Sequence, residues 1–329
     1  MEQQARRVLY HWYSQNSRFL PWRTSRDPYR IWLSETMLQQ TTTQVVMPYY
    51  EKFLQLFPTL SDLAQAPEGK VLEVWAGLGY YSRARNLHKA AKALSQLDRF
   101  PQTAEELMQY PGFGPYTSRA VSSISFNEPV GVLDGNVIRV LSRYFALKVQ
   151  WWKTAGRREL QDLADQAVQG FPSGEMNQAL MDLGSTICTS LQPACSMCPI
   201  NKTCQAYQAD TCQDFPLKRP RKAREIWQWR PQVWCQRGKI ALYWNEGKIP
   251  FLKNHWMLPG QAKQLQKKPQ QYLFKHSITH HDIFVIPQRK RGASILKSWR
   301  WVPAEELSQW VPASLVKKTL QQADKTFIG

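Results

Sequence analysis

Long hydrophobic runs are missing from this sequence of 329 residues. No apolar stretch approaches the roughly eighteen residues that a membrane-spanning helix requires, and residues 1–7 (MEQQARR) lack the apolar core of a signal peptide. These two absences predict a cytoplasmic protein. With 43% hydrophobic and 12% aromatic residues, the chain has enough apolar material for a globular protein of two domains.

Acidic residues are scarce in the last third of the chain. Residues 216–329 contain 22 Lys and Arg against 6 Asp and Glu, whereas residues 1–215 contain 21 against 19. The positive excess in the second part favours attraction to a polyanion, although solubility or an acidic protein partner could also explain it. If the first part binds a nucleic acid, it must do so through local geometry rather than through bulk charge.

Cysteine is also infrequent, but four of the six cysteines are grouped. Cys188, Cys195, Cys198 and Cys204 follow the spacing C-x6-C-x2-C-x5-C, whereas Cys212 and Cys235 have no recognised spacing. In an intracellular protein, four neighbouring thiolates favour a metal centre over disulfides, and such ligand sets select zinc or an iron–sulfur cluster.

A Gly- and Pro-rich turn, residues 111–115 (PGFGP), separates two helices predicted over 104–110 and 116–125. Gly112 and Gly114 allow the backbone to approach a ligand closely. The amides that open the second helix suit a phosphate oxygen. This segment predicts a helix-hairpin-helix, although such a turn can also be an ordinary loop.

Two carboxylates are candidate catalytic groups. Asp134 opens the predicted helix LDGNVIRV, where an N-cap role is the simpler alternative. Glu35 lies in a helix predicted over 29–40, on the face that carries Ile31 and Leu38, so it should point inward. Desolvation would raise the pKa of an inward Glu toward neutrality, as a general acid requires; a solvated surface Glu is the alternative.

The hairpin followed by LDGNVxRV resembles the helix-hairpin-helix DNA glycosylase superfamily. Residues 32–41 (WLSETMLQQT) and 75–87 (WAGLGYYSRARNL) are similar to the MutY-type adenine DNA glycosylases, and Glu35 distinguishes these from endonuclease III. The resemblance implies that Glu35 protonates adenine at N7, that Asp134 faces the sugar of the extruded nucleotide, and that Tyr116 and Asn136 position these groups. Position 116 is Lys in the bifunctional lyases, so Tyr116 implies base removal without strand cleavage.

The same resemblance implies a [4Fe–4S] cluster at Cys188, Cys195, Cys198 and Cys204, with zinc as the alternative. It also implies double-stranded DNA as the partner. The residues expected to contact DNA in the first domain are Gln40, Tyr80, Tyr81, Arg83, Arg85, Gly112 and Gly114. Gln40 or its neighbour would wedge into the duplex, Tyr80 or Tyr81 would stack beside the lesion, and the arginines would contact phosphates.

Beyond residue 230, the pattern predicts a small α+β domain. Strands are expected on either side of Arg237-Gly238 and over 274–278 and 283–287, and a helix over 315–323. The domain resembles a Nudix-like fold that lacks the acidic Nudix box, so it should bind without hydrolysing. Thr279 and His280 correspond to the loop that reads 8-oxoguanine in MutY-type enzymes.

The predicted protein is therefore multidomain. An all-α helix-hairpin-helix glycosylase domain with an iron–sulfur cluster (1–215) precedes a basic linker (216–230) and an α+β Nudix-like domain (231–329). The predicted function is a monofunctional adenine DNA glycosylase, monomeric and associated with the nucleoid through DNA, acting on adenine opposite 8-oxoguanine or guanine. A thymine or uracil mismatch glycosylase and a non-catalytic DNA-binding or redox protein are the alternatives.

Overall fold

The computed structural model describes residues 1–220, 222–290, 298–311 and 314–327. The chain divides into two compact units, residues 1–219 and 220–329. No helix in these ranges is long and apolar enough to cross a membrane. The first unit is helical and the second contains a mixed sheet, so the predicted combination of an all-α domain and an α+β domain is confirmed.

The helices of the first unit have the following bounds: α1 (Gln3–Asn16), α2 (Pro28–Leu38), α3 (Thr43–Leu56), α4 (Leu60–Gln65), α5 (Glu68–Val74), α6 (Tyr81–Leu94), α7 (Ala104–Leu107), α8 (Pro115–Phe126), α9 (Gly135–Tyr144), α10 (Thr154–Val168), α11 (Ser173–Thr186) and α12 (Gln205–Gln208). The predicted helix-hairpin-helix is formed by α7 and α8, but α7 is shorter than the predicted 104–110. It ends three residues earlier because the chain already turns toward the hairpin.

Two apolar cores stabilise this unit. One is built around α2 to α6, with Trp32 and Trp75 fully buried, and the other around α1 and α8 to α11. The N-terminus of α2 is fixed by Asp27, whose side chain accepts a hydrogen bond from the amide of Tyr29, with Pro28 in the first helical position. Helix α2 packs against α8, α8 packs against α11, and α11 packs against α9, so the segments that carry the two candidate carboxylates come together.

In its described residues, the second unit forms an eight-stranded mixed sheet and two α-helices. The strands are β1 (Glu225–Gln236), β2 (Lys239–Trp244), β3 (Trp256–Met257), β4 (Gly260–Leu265), β5 (Phe274–Ile278), β6 (His281–Val285), β7 (Gln288–Lys290) and β8 (Trp299–Pro303), and the helices are α13 (Leu307–Trp310) and α14 (Ser314–Phe327). Strand β1 is central: it pairs with β2 and β4 antiparallel and with β6 and β7 parallel.

The predicted turn at Arg237-Gly238 is confirmed, since both residues have positive φ between β1 and β2. Strand β5 has its predicted bounds, whereas β6 begins at His281 rather than at residue 283. The predicted linker 216–230 needs correction, because residues 225–230 form the first half of β1. Their hydrogen-bonding partners lie in β4 and β6, which no local pattern could indicate.

Candidate active site

A cavity of about 510 Å³ opens between α2, α8 and the start of α9. Its wall contains both predicted catalytic carboxylates, Glu35 from α2 and Asp134 from the start of α9, together with Tyr116 from α8 and Asn136. The four residues that the sequence singled out for catalysis thus share one cavity, although 99 residues separate the two carboxylates along the chain.

Glu35 points inward, as the helical pattern predicted, and is only 6% exposed. Its Oε2 accepts a hydrogen bond of 2.8 Å from the hydroxyl of Tyr116. Burial raises the pKa of Glu35 from 4.5 to about 7; the negative charge of Asp134 acts in the same direction, whereas the Tyr116 hydrogen bond and Arg23 act against it. A carboxyl group with this pKa is partly protonated near neutral pH, as a general acid must be.

Asp134 is the N-cap of α9 and also faces the cavity. Its Oδ1 accepts a hydrogen bond of 2.7 Å from the amide of Val137, and its Oδ2 accepts one of 2.9 Å from the side-chain amide of Asn136. Burial raises the pKa of Asp134, and these hydrogen bonds oppose that increase by favouring the carboxylate. The side chain that caps α9 is therefore also part of the cavity wall.

Asn136 contacts Asp134 rather than Glu35. Its Oδ1 accepts a hydrogen bond of 2.8 Å from Arg139, whose guanidinium also donates to the carbonyl oxygen of Gly184. A Cβ at Gly184 would lie 2.6 Å from the Cβ of Asn136, so α11 and α9 can approach this closely only with glycine here. Asn136 thus orients Asp134 on a rigid support.

A buried ion-pair cluster behind the cavity wall was not predicted. The carboxylate of Asp182 on α11 is fully buried and paired with the guanidinium groups of Arg18 and Arg23, each at 2.6 Å. Both arginines line the cavity, and Arg23 lies close enough to lower the pKa of Glu35. The only sequence feature that could have indicated this cluster was an acidic residue, Asp182, inside the apolar stretch 179–183. It did not indicate that the partners would be Arg18 and Arg23.

Arg83 was predicted to contact a DNA phosphate, and the structure corrects this prediction. Arg83 is only 8% exposed, and its guanidinium donates hydrogen bonds to the carbonyl oxygens of Thr36, Met37 and Gln39 on one side. On the other side it donates to the carbonyl oxygens of residues 78 and 79. Arg83 therefore satisfies the carbonyl groups at the C-terminal end of α2, the helix that carries Glu35.

Replacing Arg83 with Met is expected to lower the free energy of unfolding by about 2–4 kcal/mol, because several buried carbonyl groups lose their partners. The measurement is urea denaturation of the whole chain. The matched control is Arg85→Met, which removes a half-exposed arginine paired with Glu68 at 3.4 Å and should change stability by less than about 0.5 kcal/mol. Equal losses of unfolding free energy in the two variants would contradict the structural role of Arg83 at the end of α2.

The remaining predicted DNA-contacting residues of this unit lie at the surface or at the cavity mouth. Tyr80 is 60% exposed with φ of +48°, and Tyr81 begins α6. Gln40 has φ of +59° just after α2 and lines the cavity. These positive φ values in residues other than glycine are uncommon and often mark functional turns.

The hairpin itself has the geometry expected of an anion site. Gly112 is exposed with φ of +88°, and Gly114 is the N-cap of α8. A groove of about 610 Å³ runs along the hairpin and also contains Arg157 and Thr117, which the sequence did not indicate. The first amides of α8 and the Arg157 guanidinium together suit a phosphate group.

The four spaced cysteines follow α11 and lie beside the C-terminal end of α9. A nitrogen of the Arg143 guanidinium is 3.4 Å from the sulfur of Cys188, and the thiol of Cys204 lies 3.5 Å from the Arg143 carbonyl oxygen. Cys188, Cys195 and Cys204 are each close enough to Cys198 to interact with it electrostatically. No disulfide joins cysteines in the described part of the chain. Four thiols beside a buried cation fit a negatively charged iron–sulfur centre.

A fifth thiol lies close to this group. The sulfur of Cys212 is 3.7 Å from that of Cys195, so the cysteine spacing in the sequence did not identify every thiol near the four spaced cysteines.

In the second unit, Thr279 and His280 form the turn between β5 and β6, and Thr279 has φ of +53°.

The chain was compared with known proteins. Residues 33–166 match the family model described as HhH-GPD superfamily base excision DNA repair protein. Similar curated proteins include the adenine DNA glycosylase of Rattus norvegicus, 45% identical over 62% of this chain and 42% of that protein. The adenine DNA glycosylase of Buchnera aphidicola subsp. Baizongia pistaciae is 31% identical over 85% of this chain and 84% of its own length. The chain thus spans about two fifths of the length of the rat relative it matches.

Solved structures similar to this chain include a thermostable thymine-DNA glycosylase, 28% identical, with a TM-score of 0.56 over 63% of this chain and 98% of that one. Endonuclease III in a non-covalent DNA complex is 21% identical, with a TM-score of 0.52 over 64% of this chain and 98% of that one. The second likeness concerns the fold of the helical unit alone.

Proposed function

Because this chain belongs to the adenine DNA glycosylase family within the helix-hairpin-helix superfamily of base excision repair proteins, we propose that it excises adenine from duplex DNA. The proposed substrates are adenine opposite 8-oxoguanine and adenine opposite guanine. The proposed reaction is hydrolysis of the N-glycosidic bond without strand cleavage.

The observation that carries this proposal is the placement of Glu35 and Asp134 in one cavity with different environments. Glu35 is buried, bonded to the Tyr116 hydroxyl, and has a pKa of about 7. Asp134 accepts hydrogen bonds that favour its ionised form. One carboxyl group that can donate a proton and one that can stabilise a cation are the two groups that acid-assisted cleavage of a glycosidic bond requires.

In the proposed mechanism, the adenosine is extruded from the duplex into the cavity, which costs a few kcal/mol of unstacking. The carboxyl group of Glu35 donates its proton to N7 of the base. The bond between C1′ and N9 then breaks with its electron pair going to the base, which leaves as neutral adenine.

The sugar left behind carries positive charge at C1′ and O4′. Asp134 stabilises this charge, either electrostatically or by a transient covalent bond to C1′, and Asn136 holds its carboxylate in place. Water adds to C1′ and loses a proton, which returns to Glu35. The products are adenine and an abasic site.

Strand cleavage by this superfamily's lyases requires an amine that forms an imine with the sugar. The residue after the hairpin is Tyr116, whose phenol cannot do so, and no lysine is found among the described residues that line the cavity. We therefore propose that the chain lacks significant lyase activity.

DNA is proposed to bind across the hairpin and the cavity mouth. The amides near Gly112 and Gly114 would hold a phosphate, Gln40 would occupy the space left by the extruded base, and Tyr80 and Tyr81 would stack against neighbouring bases. The exposed Arg85 stays in this proposal as a phosphate contact, whereas Arg83 does not.

We also propose that Cys188, Cys195, Cys198 and Cys204 hold a [4Fe–4S] cluster, which would supply structural stabilisation. Protein purified aerobically is expected to be yellow-brown with about four Fe per chain. Cys198→Ser should lose most of this iron, whereas Cys212→Ser, the matched control at the fifth thiol, should retain it. Stoichiometric zinc without iron, or iron loss in the Cys212 variant, would require another centre or another ligand set.

In the second unit, Thr279 and His280 are proposed to read 8-oxoguanine. Exchanging both for Ala should reduce the preference for A:8-oxoG over A:G duplexes by about 1–3 kcal/mol, near the value of one or two hydrogen bonds. Binding to the two duplexes is measured side by side, with His255→Ala as a control that removes another exposed histidine of the same unit. If affinity for both duplexes falls equally, the unit acts as an electrostatic clamp, and lesion reading lies in the helical unit.

The decisive experiment measures base release from A:8-oxoG, A:G and T:G duplexes, with and without alkali, and includes borohydride trapping. We expect adenine release from the first two, strand breaks only after alkali, and little trapped adduct. Release of thymine without release of adenine would support the alternative mismatch glycosylase, and alkali-independent breaks would contradict the absence of lyase activity.

A further inference from the structure

A cluster of three metal-ligating side chains lies in the second unit, outside the site described above. Glu225 begins β1, His281 begins β6, and His280 precedes it in the turn; one ligand atom from each lies within 4.8 Å of the others. Parallel pairing of β1 with β6 sets Glu225 beside His281, and the amide of Glu225 donates to the carbonyl oxygen of His280. Backbone hydrogen bonds therefore fix the spacing of the three residues.

The separations between the side chains match a coordination site. The Nε2 of His280 is 3.5 Å from one carboxylate oxygen of Glu225, and the Nε2 of His281 is 3.3 Å from the other. Two ligands at about 2.1 Å from a tetrahedral zinc ion lie about 3.4 Å apart. The nitrogen and oxygen atoms thus lie at about the distance that a shared cation would set.

The other ring nitrogen of His280 has a partner of its own. The hydroxyl of Thr279 donates to the carbonyl oxygen of Ile278 at 2.7 Å, and its oxygen lies 3.3 Å from Nδ1 of His280. In the tautomer that carries its proton on Nδ1, Nε2 faces Glu225 with a lone pair, which is the form that binds a metal ion. A hydrogen bond to the far ring nitrogen is the usual way in which a protein orients a metal-binding imidazole.

The surroundings of His281 also suit a metal ligand. This residue is 8% exposed, its Nδ1 is buried without a hydrogen-bond partner among the described residues, and the two imidazole rings lie 4.1 Å apart. Lys222 adds positive charge nearby, and Glu225 is the compensating anion, held by a hydrogen bond from Trp227.

We propose that Glu225, His280 and His281 bind a divalent transition-metal ion of the zinc class. Two imidazoles and a carboxylate suit such an ion, with a fourth position left for water. The nearby Asp282 is engaged with Arg224, Lys275 and Ser277 and is not a ligand. Binding would join the start of β1 to the turn between β5 and β6. With Nε2 of His280 on the metal ion, contact with 8-oxoguanine would be left to Thr279, so the two proposed roles of His280 belong to the metal-bound and the metal-free forms.

The test uses the full chain with its iron content measured in parallel. The protein is dialysed against Zn²⁺, and bound zinc is determined; Co²⁺ then serves as a spectroscopic probe. We expect about one zinc per chain in addition to the iron, and a cobalt spectrum without a thiolate charge-transfer band. That last feature separates this site from zinc bound to the cysteines.

His280→Ala, His281→Ala and Glu225→Gln should each weaken zinc binding by at least about tenfold. The control is His276→Ala on neighbouring β5, whose imidazole contacts Ser314 and is not part of the trio. Because His281 is buried and its variant could misfold, the partly exposed His280 provides the variant in which the fold should survive. Zinc binding unchanged in the His280 and Glu225 variants, or absent from the wild-type chain, would overturn the proposal.

Discussion

Replacing Glu35 with Gln is expected to slow adenine release by about 10²–10⁴-fold, because the amide keeps the shape of the side chain but has no acidic proton to donate. Affinity for the duplex should be nearly unchanged. In the wild-type chain, the rate should fall as pH rises above about 7, since the pKa of Glu35 lies there and only the protonated form is active. Single-turnover rates across the pH range measure both effects.

The control for this variant is Glu51→Gln, which makes the same chemical change on an exposed position of α3 and should leave the rate unchanged. A Glu35→Gln enzyme with near-normal turnover, or one that keeps the wild-type fall in rate above pH 7, would contradict the role of Glu35 as the general acid.

The same pKa has a consequence for stability. Because the pKa of Glu35 is raised from 4.5 to about 7 on folding, the folded chain binds more protons than the unfolded chain between these values. This contribution to stability is present at low pH and is lost as pH rises through about 7, by roughly 3 kcal/mol as an upper bound. Glu35→Gln should therefore be more stable than the wild-type chain at alkaline pH, a case of an active site that is retained at a cost in stability.

Sequence periodicity was sufficient to orient Glu35. Ile31, Leu38 and Glu35 share one face of α2 by helical spacing, and all three line the same cavity. The start of α9 could also be predicted from the sequence, because an Asp before Gly-Asn-Val is a recognisable N-cap. The proposed role of Asp134 beside the sugar came only from the family resemblance, because an N-cap pattern does not indicate what else the capping carboxylate contacts.

Long-range pairings could not be predicted in the same way. Arg23 and Asp182 are 159 positions apart, and a single sequence does not indicate which buried acid meets which base. Arg83 was assigned to a DNA phosphate because its segment resembles that of MutY-type enzymes and arginines commonly contact phosphates. In the structure, its guanidinium instead donates to the carbonyl groups at the end of α2. Likewise, Glu225 became part of a strand through pairing with β6, some sixty residues later. Local propensity does not register such tertiary contacts.

Replacing Asp134 with Asn is the second substitution with a large expected effect. Asn is about as good an N-cap as Asp, and it can accept the same hydrogen bond from the amide of Val137, so α9 should remain intact. What is lost is the negative charge proposed to lie beside the sugar and, with it, the hydrogen bond that Oδ2 accepts from the side-chain amide of Asn136. The rate of base release should fall by at least about 10²–10³-fold, while stability changes little.

The matched control is Asp98→Asn, the same exchange at an exposed position, which should leave base release unchanged. Thermal unfolding of both variants separates a catalytic effect from a structural one. If Asp134→Asn lost stability in proportion to activity, its capping role would account for the result and the assignment would fail. If the rate fell while unfolding stayed at the wild-type temperature, the carboxylate with its Asn136 contact, rather than the cap, would be responsible, because the two side chains have the same shape and both accept the hydrogen bond from the amide of Val137.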